Sequence, residues 1–315
     1  MTNEIDIPGS EPVVVTTSDG LKLRGVRVMP PQGRPKAIVV LAHGYGEHIG
    51  RYTHVIAAMT AARYGVYAVD HRGYGRSDGP RAIVDRFDRH VDDLALVTAL
   101  ARREHPERPH FLVGHSMGGL IATRYAFRHQ TELAGLVLMS PALSLPNVPS
   151  AFEQKALRLV AKVSPETLIG RDAEPGRLSK DPEVEARMAA DPLCYNARPK
   201  AGLAIQIFDA GNDARARLKE LTVPLLAMHG EDDPMIPVAG SHLLNKTASS
   251  IDRTLITWPG LRHELFNEVE KDEVINVVLS WMNAHHVAWL KARDVSTGGP
   301  DVVAQPADTL ADIRH

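Results

Sequence analysis

The stretch PHFLVGHSMGGLIATRYAFRH, residues 109–129, decides how the rest of the chain is read. A short apolar run, FLVG at 111–114, enters His115-Ser116, and an amphipathic run leaves it with no loop between them. Ile121, Ala122, Tyr125 and Ala126 recur at the spacing of one helical face. A buried strand, a sharp turn and a helix that starts at once are what a serine needs to stand on a nucleophile elbow. The glycines of GHSMG leave room where strand and helix crowd together. The helix start offers a backbone N–H, and the positive end of its dipole, to a developing oxyanion.

A second pentapeptide, GRSDG at 75–79, also fits G-x-S-x-G. It fails the structural requirement. Ser77 comes seven residues after Asp70, where its strand ends, and Gly79-Pro80 and a loop follow it. Ser77 therefore reads as part of a glycine-rich connection, and Ser116 as the nucleophile.

Outward from the elbow, further apolar runs read as strands: 13–17, 21–29, 37–43, 66–70, 135–140, 224–230 and 253–260. Amphipathic stretches at 52–63, 87–104, 117–129, 151–163, 238–248 and 270–291 read as helices. The first two strands flank Asp19-Gly20, a hairpin signal. From residue 37 onward strand and helix alternate, which predicts a mostly parallel sheet of about eight strands covered on both faces. The alternation lapses over 142–220, a region rich in proline and charge, which reads as a helical cap inserted between two parts of an α/β core, 1–141 and 221–292. Residues 293–315 show no periodicity and read as a disordered tail.

The 315 residues are 44% hydrophobic and 23% charged, enough for a sizeable core. A formal net charge of −2 argues against an electrostatic grip on nucleic acid. The single cysteine, Cys194, fits a reducing compartment, and the first residues show no secretion signal, so a cytoplasmic protein is expected.

A serine hydroxyl needs a base, and the base an orienting carboxylate. On a sheet of this kind the acid and then the histidine follow the serine in sequence. Downstream, His129 ends a helix, His229 lies in a strand run, His242 sits within a helix, and His285 and His286 lie near the end of the last one. His263, in PGLRHELFNE, follows a strand and precedes a helix, where a loop histidine reaches over the strand edges. The acid belongs at the end of the strand before, and PLLAMHGEDDP offers Glu231, Asp232 and Asp233, which backbone reasoning does not separate.

A second oxyanion donor belongs in the loop after an earlier strand. LAHGYGEHIGRY, residues 41–52, occupies that position and would pair the N–H of Tyr45 with that of Met117. Each such donor supplies roughly 10²–10³ in turnover. Gly44, Gly46 and Gly50 have one residue too many for G-x-G-x-x-G, as do Gly73, Gly75 and Gly79, so no nucleotide cofactor is expected. His263-Glu264 lacks the second histidine of H-E-x-x-H, and no metal is expected either.

With HGYGEHIGRY, DHRGYGRSDG, GHSMGG, HGEDDPMIP and PGLRHELFNE in this order, the sequence resembles the monoacylglycerol lipases of the α/β-hydrolase fold over roughly residues 12–286. The resemblance implies an enzyme that cleaves a monoacylglycerol ester to glycerol and a free fatty acid through an acyl-enzyme, without cofactor or metal. The family's acid stands three residues after the glycine of H-G-x-x-D, which is Asp233 here. The implied triad is therefore Ser116, Asp233 and His263, with Tyr45 and Met117 as main-chain donors.

The resemblance also makes SAFEQKALRLVAKV the cap's main helix, with Phe152, Ala156, Leu159, Val160 and Val163 as its apolar stripe. Turned inward, the stripe packs on the enzyme's own core. Turned outward, it would touch micelle or membrane surfaces reversibly, as a peripheral protein does. Tyr45 is bulky where many relatives carry a small or aliphatic residue, and its ring stands to narrow or line the pocket. Cys194 reads as a small apolar filler. The same triad would serve a lysophospholipase, a short-chain carboxylesterase or a thioesterase. A non-catalytic binding module of this fold usually lacks a triad position, and here all three are filled.

Overall fold

The computed structural model describes residues 7–144, 150–170 and 176–296. Its strands are β1 (Ser10–Thr16), β2 (Lys22–Val28), β3 (Ala37–Ala42), β4 (Tyr64–Val69), β5 (His110–His115), β6 (Gly135–Met139), β7 (Leu225–Gly230) and β8 (Arg253–Trp258). They form one sheet in the order β1-β2-β4-β3-β5-β6-β7-β8. The β1–β2 and β2–β4 pairs are antiparallel. Every later pair is parallel. Strands β3 to β7 are buried along their whole length, which is why they read as unbroken apolar runs rather than as alternation.

Each face of the sheet carries its own core. Helices α1 (Thr53–Ala61) and α8 (Lys271–Ser296) cover one face, where Val39, Ile56, Met59, Val278 and Trp281 pack together. Helices α2 (Asp88–Glu104) and α3 (Met117–His129) cover the other, with Val40, Leu94, Leu120 and Tyr125. The neighbours Val39 and Val40 point into opposite cores, as strand geometry requires. Each such fully buried aliphatic side chain contributes about 1.5–3 kcal/mol.

Between β6 and β7 run α4 (Ala151–Val163), α5 (Pro182–Ala190) and α6 (Ala201–Arg217), and α7 (Ala239–Thr247) follows β7. Helix α4 begins on a capping box, Ser150 with Glu153. It lies on α6, to which Arg158 and Asp209 pair it. Its stripe faces outward: Phe152 is 81% exposed, Leu159 64% and Val163 76%. None of its residues is buried.

Sequence patterning did not single out α5 or α6, and α6 shows why. It carries Gly202 and Gly211, residues that weaken a helical reading but here permit close approach. A Cβ on Gly202 would lie 2.8 Å from Pro165 Cβ, and one on Gly211 would lie 3.2 Å from the Ala142 carbonyl oxygen. Helix α8 extends to Ser296, four residues into the stretch that reads as a tail, and residues 297–315 lie outside the described residues.

Candidate active site

Strand β5 delivers Ser116 to the start of α3 with φ 54° and ψ −117°. This is a left-handed, non-glycine conformation, which costs ~1–3 kcal/mol and persists only where its surroundings enforce it. Here the enforcement is explicit. The Ser116 N–H donates to the Met139 carbonyl at 2.9 Å, and its own carbonyl accepts from Ala142 N at 3.0 Å and Leu120 N at 3.1 Å. Position 118 must be glycine for space, since a Cβ there would lie 2.2 Å from the Ala42 carbonyl oxygen.

The loop after β8 brings His263 over the elbow. Its Nε2 lies 2.9 Å from Ser116 Oγ, and its Nδ1 lies 2.7 Å from Asp233 Oδ2. With Nδ1–H donating to the carboxylate, Nε2 is left as the acceptor for the serine O–H. Asp233 comes from the turn after β7 and is the carboxylate that meets His263. Glu231 and Asp232 are exposed, and Glu231 accepts from Thr257 Oγ1 at 2.7 Å.

The Asp233 side chain is fully buried. Burial alone would raise its pKa, but His263, His229 and the Ile236 amide hold it well below the usual carboxylate range. Its Oδ1 accepts from the N–H groups of Met235 at 2.8 Å and Ile236 at 2.9 Å. His229, dismissed as a base because it lies in a strand, stands behind this carboxylate with Nε2 at 3.2 Å. Its Nδ1 is held by Ser241 Oγ at 2.7 Å. Its position four residues before Asp233 was the signal available in the sequence.

The loop after β3 lies against the elbow, and a Cβ on Gly44 would sit 3.2 Å from Ser116 Cβ. Tyr45 follows directly. Met117 is the first residue of α3, so its amide is among those with no partner inside the helix. The loop is folded by Glu47, a buried residue whose Oε1 accepts from Gly44 N at 3.1 Å and lies 3.0 Å from His115 Nδ1. Arg51 reaches Glu47 at 3.1 Å and grips Glu264 through two contacts of 2.7 Å. Sequence reasoning assigned no role to these four residues, although three of them are the charged positions of H-G-x-G-E-H-x-x-R-Y and the position beside His263.

The His263 loop is fastened a second time. Glu268 is fully buried, and its carboxylate accepts from Ser179 Oγ at 2.7 Å, Lys180 N at 2.9 Å and Arg262 N at 2.6 Å. Glu264 N also donates to the Leu178 carbonyl at 2.8 Å. The histidine loop and the segment leading into α5 are thus one hydrogen-bonded unit.

Ser77 has a different task. Its hydroxyl donates to the Asp70 carbonyl and accepts from Arg24 N at 2.9 Å, closing the glycine-rich connection after β4. Cys194 is buried, and burial pushes its thiol up to about 12. Its sulfur lies near His48 and Asp191. His48 Nδ1 accepts from Gly50 N, so Nε2 carries the proton donated to Asp191, and the lone pair a metal would need is not free. A groove of about 680 Å³ runs where α4 and α6 meet residues 79–85, lined by Pro80, Ile83, Val84, Pro165 and Ile205 and by no member of the Ser116 cluster. Among the described residues, no helix is long and apolar enough to cross a membrane.

A mostly parallel eight-stranded sheet with a serine at the elbow after β5, hydrogen-bonded to a histidine and through it to an aspartate, defines an α/β hydrolase. Residues 33–270 match the family model described as serine aminopeptidase, S33. The chain is 39% identical over 265 residues to a monoacylglycerol lipase of Mycolicibacterium smegmatis, covering 83% of this chain and 94% of that protein. It is 34% identical to the monoglyceride lipase of Rattus norvegicus, covering 85% and 88%. The crystal structure of a Paleococcus ferrophilus monoacylglycerol lipase superposes with a TM-score of 0.73 at 30% identity, covering 83% of this chain and 99% of that one. The chain belongs to the monoacylglycerol lipase family.

Proposed function

We propose that this protein is a serine hydrolase that cleaves the ester of monoacylglycerols to glycerol and free fatty acid. The observation that carries the reading is the unbroken chain from Ser116 Oγ through His263 to Asp233, at 2.9 and 2.7 Å, in a member of this family. His263 takes the serine proton as Oγ attacks the ester carbonyl. Asp233 fixes the imidazole tautomer and stabilises the imidazolium. The amides of Tyr45 and Met117 receive the oxyanion of the tetrahedral intermediate. Glycerol leaves with the proton held on His263, and water then hydrolyses the acyl-enzyme by the same route.

In this reading residues 142–220 are the cap, and α4 is its outer rim. The exposed Phe152, Leu159 and Val163 give α4 an apolar face suited to reversible contact with a lipid surface from which substrate enters.

The test is fatty-acid release from matched mono-, di- and triacylglycerols and lysophosphatidylcholine, with Ser116→Ala as control. Preference for the monoacylglycerol, abolished by Ser116→Ala, is the expected outcome. Equal or better turnover of the lysophospholipid would make the protein a lysophospholipase with the same triad.

A further inference from the structure

Strand β7 sends a single polar side chain into the core. In LLAMHG, residues 225–230, every position is buried, and His229 is the only one whose side chain is not apolar or absent. A leucine would fill such a place without the cost of burying two ring nitrogens. Both nitrogens are partnered. Nε2 lies 2.9 Å from the Ile236 carbonyl oxygen and 3.2 Å from Asp233 Oδ2. These neighbours only accept, so Nε2 carries the hydrogen. Ser241 Oγ, on a fully buried residue, meets Nδ1 at 2.7 Å.

Asp233 Oδ2 thus receives two imidazoles, His263 Nδ1 at 2.7 Å from the loop after β8 and His229 Nε2 from β7. Oδ1 is occupied separately by the amides of Met235 and Ile236. The two ring N–H groups compete for the charge on one oxygen. A second donor partly offsets that charge, so the carboxylate stabilises an imidazolium on His263 less strongly. His263 then remains free to accept the Ser116 proton at lower pH. The ionisable groups that face the His263 ring are Asp233 and His115, whose ring centroid lies 4.9 Å away and whose Nδ1 is held by Glu47.

We propose that His229 is a positioning residue of the triad, whose Nε2–H shares Asp233 Oδ2 with His263 and so sets how strongly the acid pulls on the base. The inference rests on the proposed serine hydrolase mechanism and extends it by one side chain.

The experiment records kcat/KM against pH on a soluble short-chain ester for wild type, His229→Gln and His229→Asn, with Ser116→Ala as control. Glutamine places an amide N–H near the Nε2 position. Asparagine reaches only the Nδ1 position and leaves Asp233 without its second donor. His229→Asn should move the acid limb up by about half a pH unit, roughly a threefold loss well below the limb. His229→Gln should return the limb to the wild-type position. Loss of the Ile236 contact alone would lower the rate at every pH, so an unmoved limb in His229→Asn overturns the proposal. Equal displacement in both variants overturns it too, since packing and not the N–H would then matter. Nitrogen NMR shifts of the His229 ring in wild type test the same geometry without a substitution. A hydrogen on Nε2 throughout the active range is expected, and a bare Nε2 overturns the proposal even where a variant fails to fold. Turnover retained by Ser116→Ala overturns the hydrolase reading instead, and the role of His229 falls with it.

Discussion

Glu47 Oε1 and His115 Nδ1 lie 3.0 Å apart, with both side chains 5% exposed or less, directly behind the serine. His115 in turn meets the His263 carbonyl at 3.3 Å, so the pair touches the oxyanion loop, the elbow and the histidine loop together. Burial disfavours charge on either partner. Even so, the Glu47 carboxylate raises the His115 pKa, and His115 and Arg51 hold Glu47 well below its ordinary value. Breaking such a pair leaves an uncompensated buried charge, so Glu47→Gln should cost ~3 kcal/mol in urea unfolding.

The same pair sets a pH window. The depressed Glu47 contributes stability above its unfolded value of 4.5, lost as pH falls. The raised His115 contributes fully below its unfolded value of 6.5, lost as pH rises through the folded value. The penalty of Glu47→Gln should therefore peak between those values and shrink in alkaline buffer. A penalty undiminished above pH 8 would show that Arg51, whose guanidinium stays charged, and not His115, is the partner that matters.

Exchange of the acid candidates separates Asp233 from its neighbours. Asp233→Asn should lower kcat by ~10⁴, because the imidazole loses its tautomer anchor. Glu231→Gln and Asp232→Asn act on exposed side chains and should stay within severalfold of wild type. Steady-state kinetics on a soluble short-chain ester reads all three.

The two serines divide function from structure. Ser116→Ala should abolish turnover without unfolding the protein. Ser77→Ala should retain activity and lose ~1 kcal/mol of stability, the worth of the hydrogen bonds that close its loop. Thermal unfolding and fluorophosphonate labelling, run side by side, report both.

Substitution of the outer face of α4 tests the proposed lipid contact. Leu159→Ser with Val163→Ser should change stability by no more than about 0.5 kcal/mol, since both side chains already face solvent. Turnover of vesicle-embedded monoacylglycerol should fall severalfold while a soluble ester is unaffected. Equal rates on the two substrates would show that the stripe does not meet the lipid surface.

Much of this molecule is legible in its sequence, for a physical reason. Parallel strands buried on both faces, such as AIVVLA, and helices that abut them leave strong periodic signals, and all the strand runs read from the sequence appear in the sheet. Ser116 and His263 follow from chain order and local context. Asp233 does not. Three carboxylates stand together there, and what distinguishes one is the Met235 and Ile236 amides that bind it, a matter of turn geometry. Helix α6 escaped because Gly202 and Gly211, placed for tertiary contact, weaken its pattern, and α5 because it is nine residues long with Val184 alone buried. The charge network escaped because its three parts, Glu47 with Arg51, His115 and Glu264, are far apart in the chain and converge only after folding.

The Glu268 carboxylate couples the histidine loop to a segment more than 80 residues away in the chain. It chains the segment leading into α5 to the histidine loop, and the Gly46 carbonyl holds the segment leaving α5 through Tyr195 N at 2.8 Å. Helix α4 has no buried residue and is paired to α6 through Arg158 and Asp209. Any displacement of the segment leading into α5 therefore pulls on the loop that carries His263, and the two move as one piece.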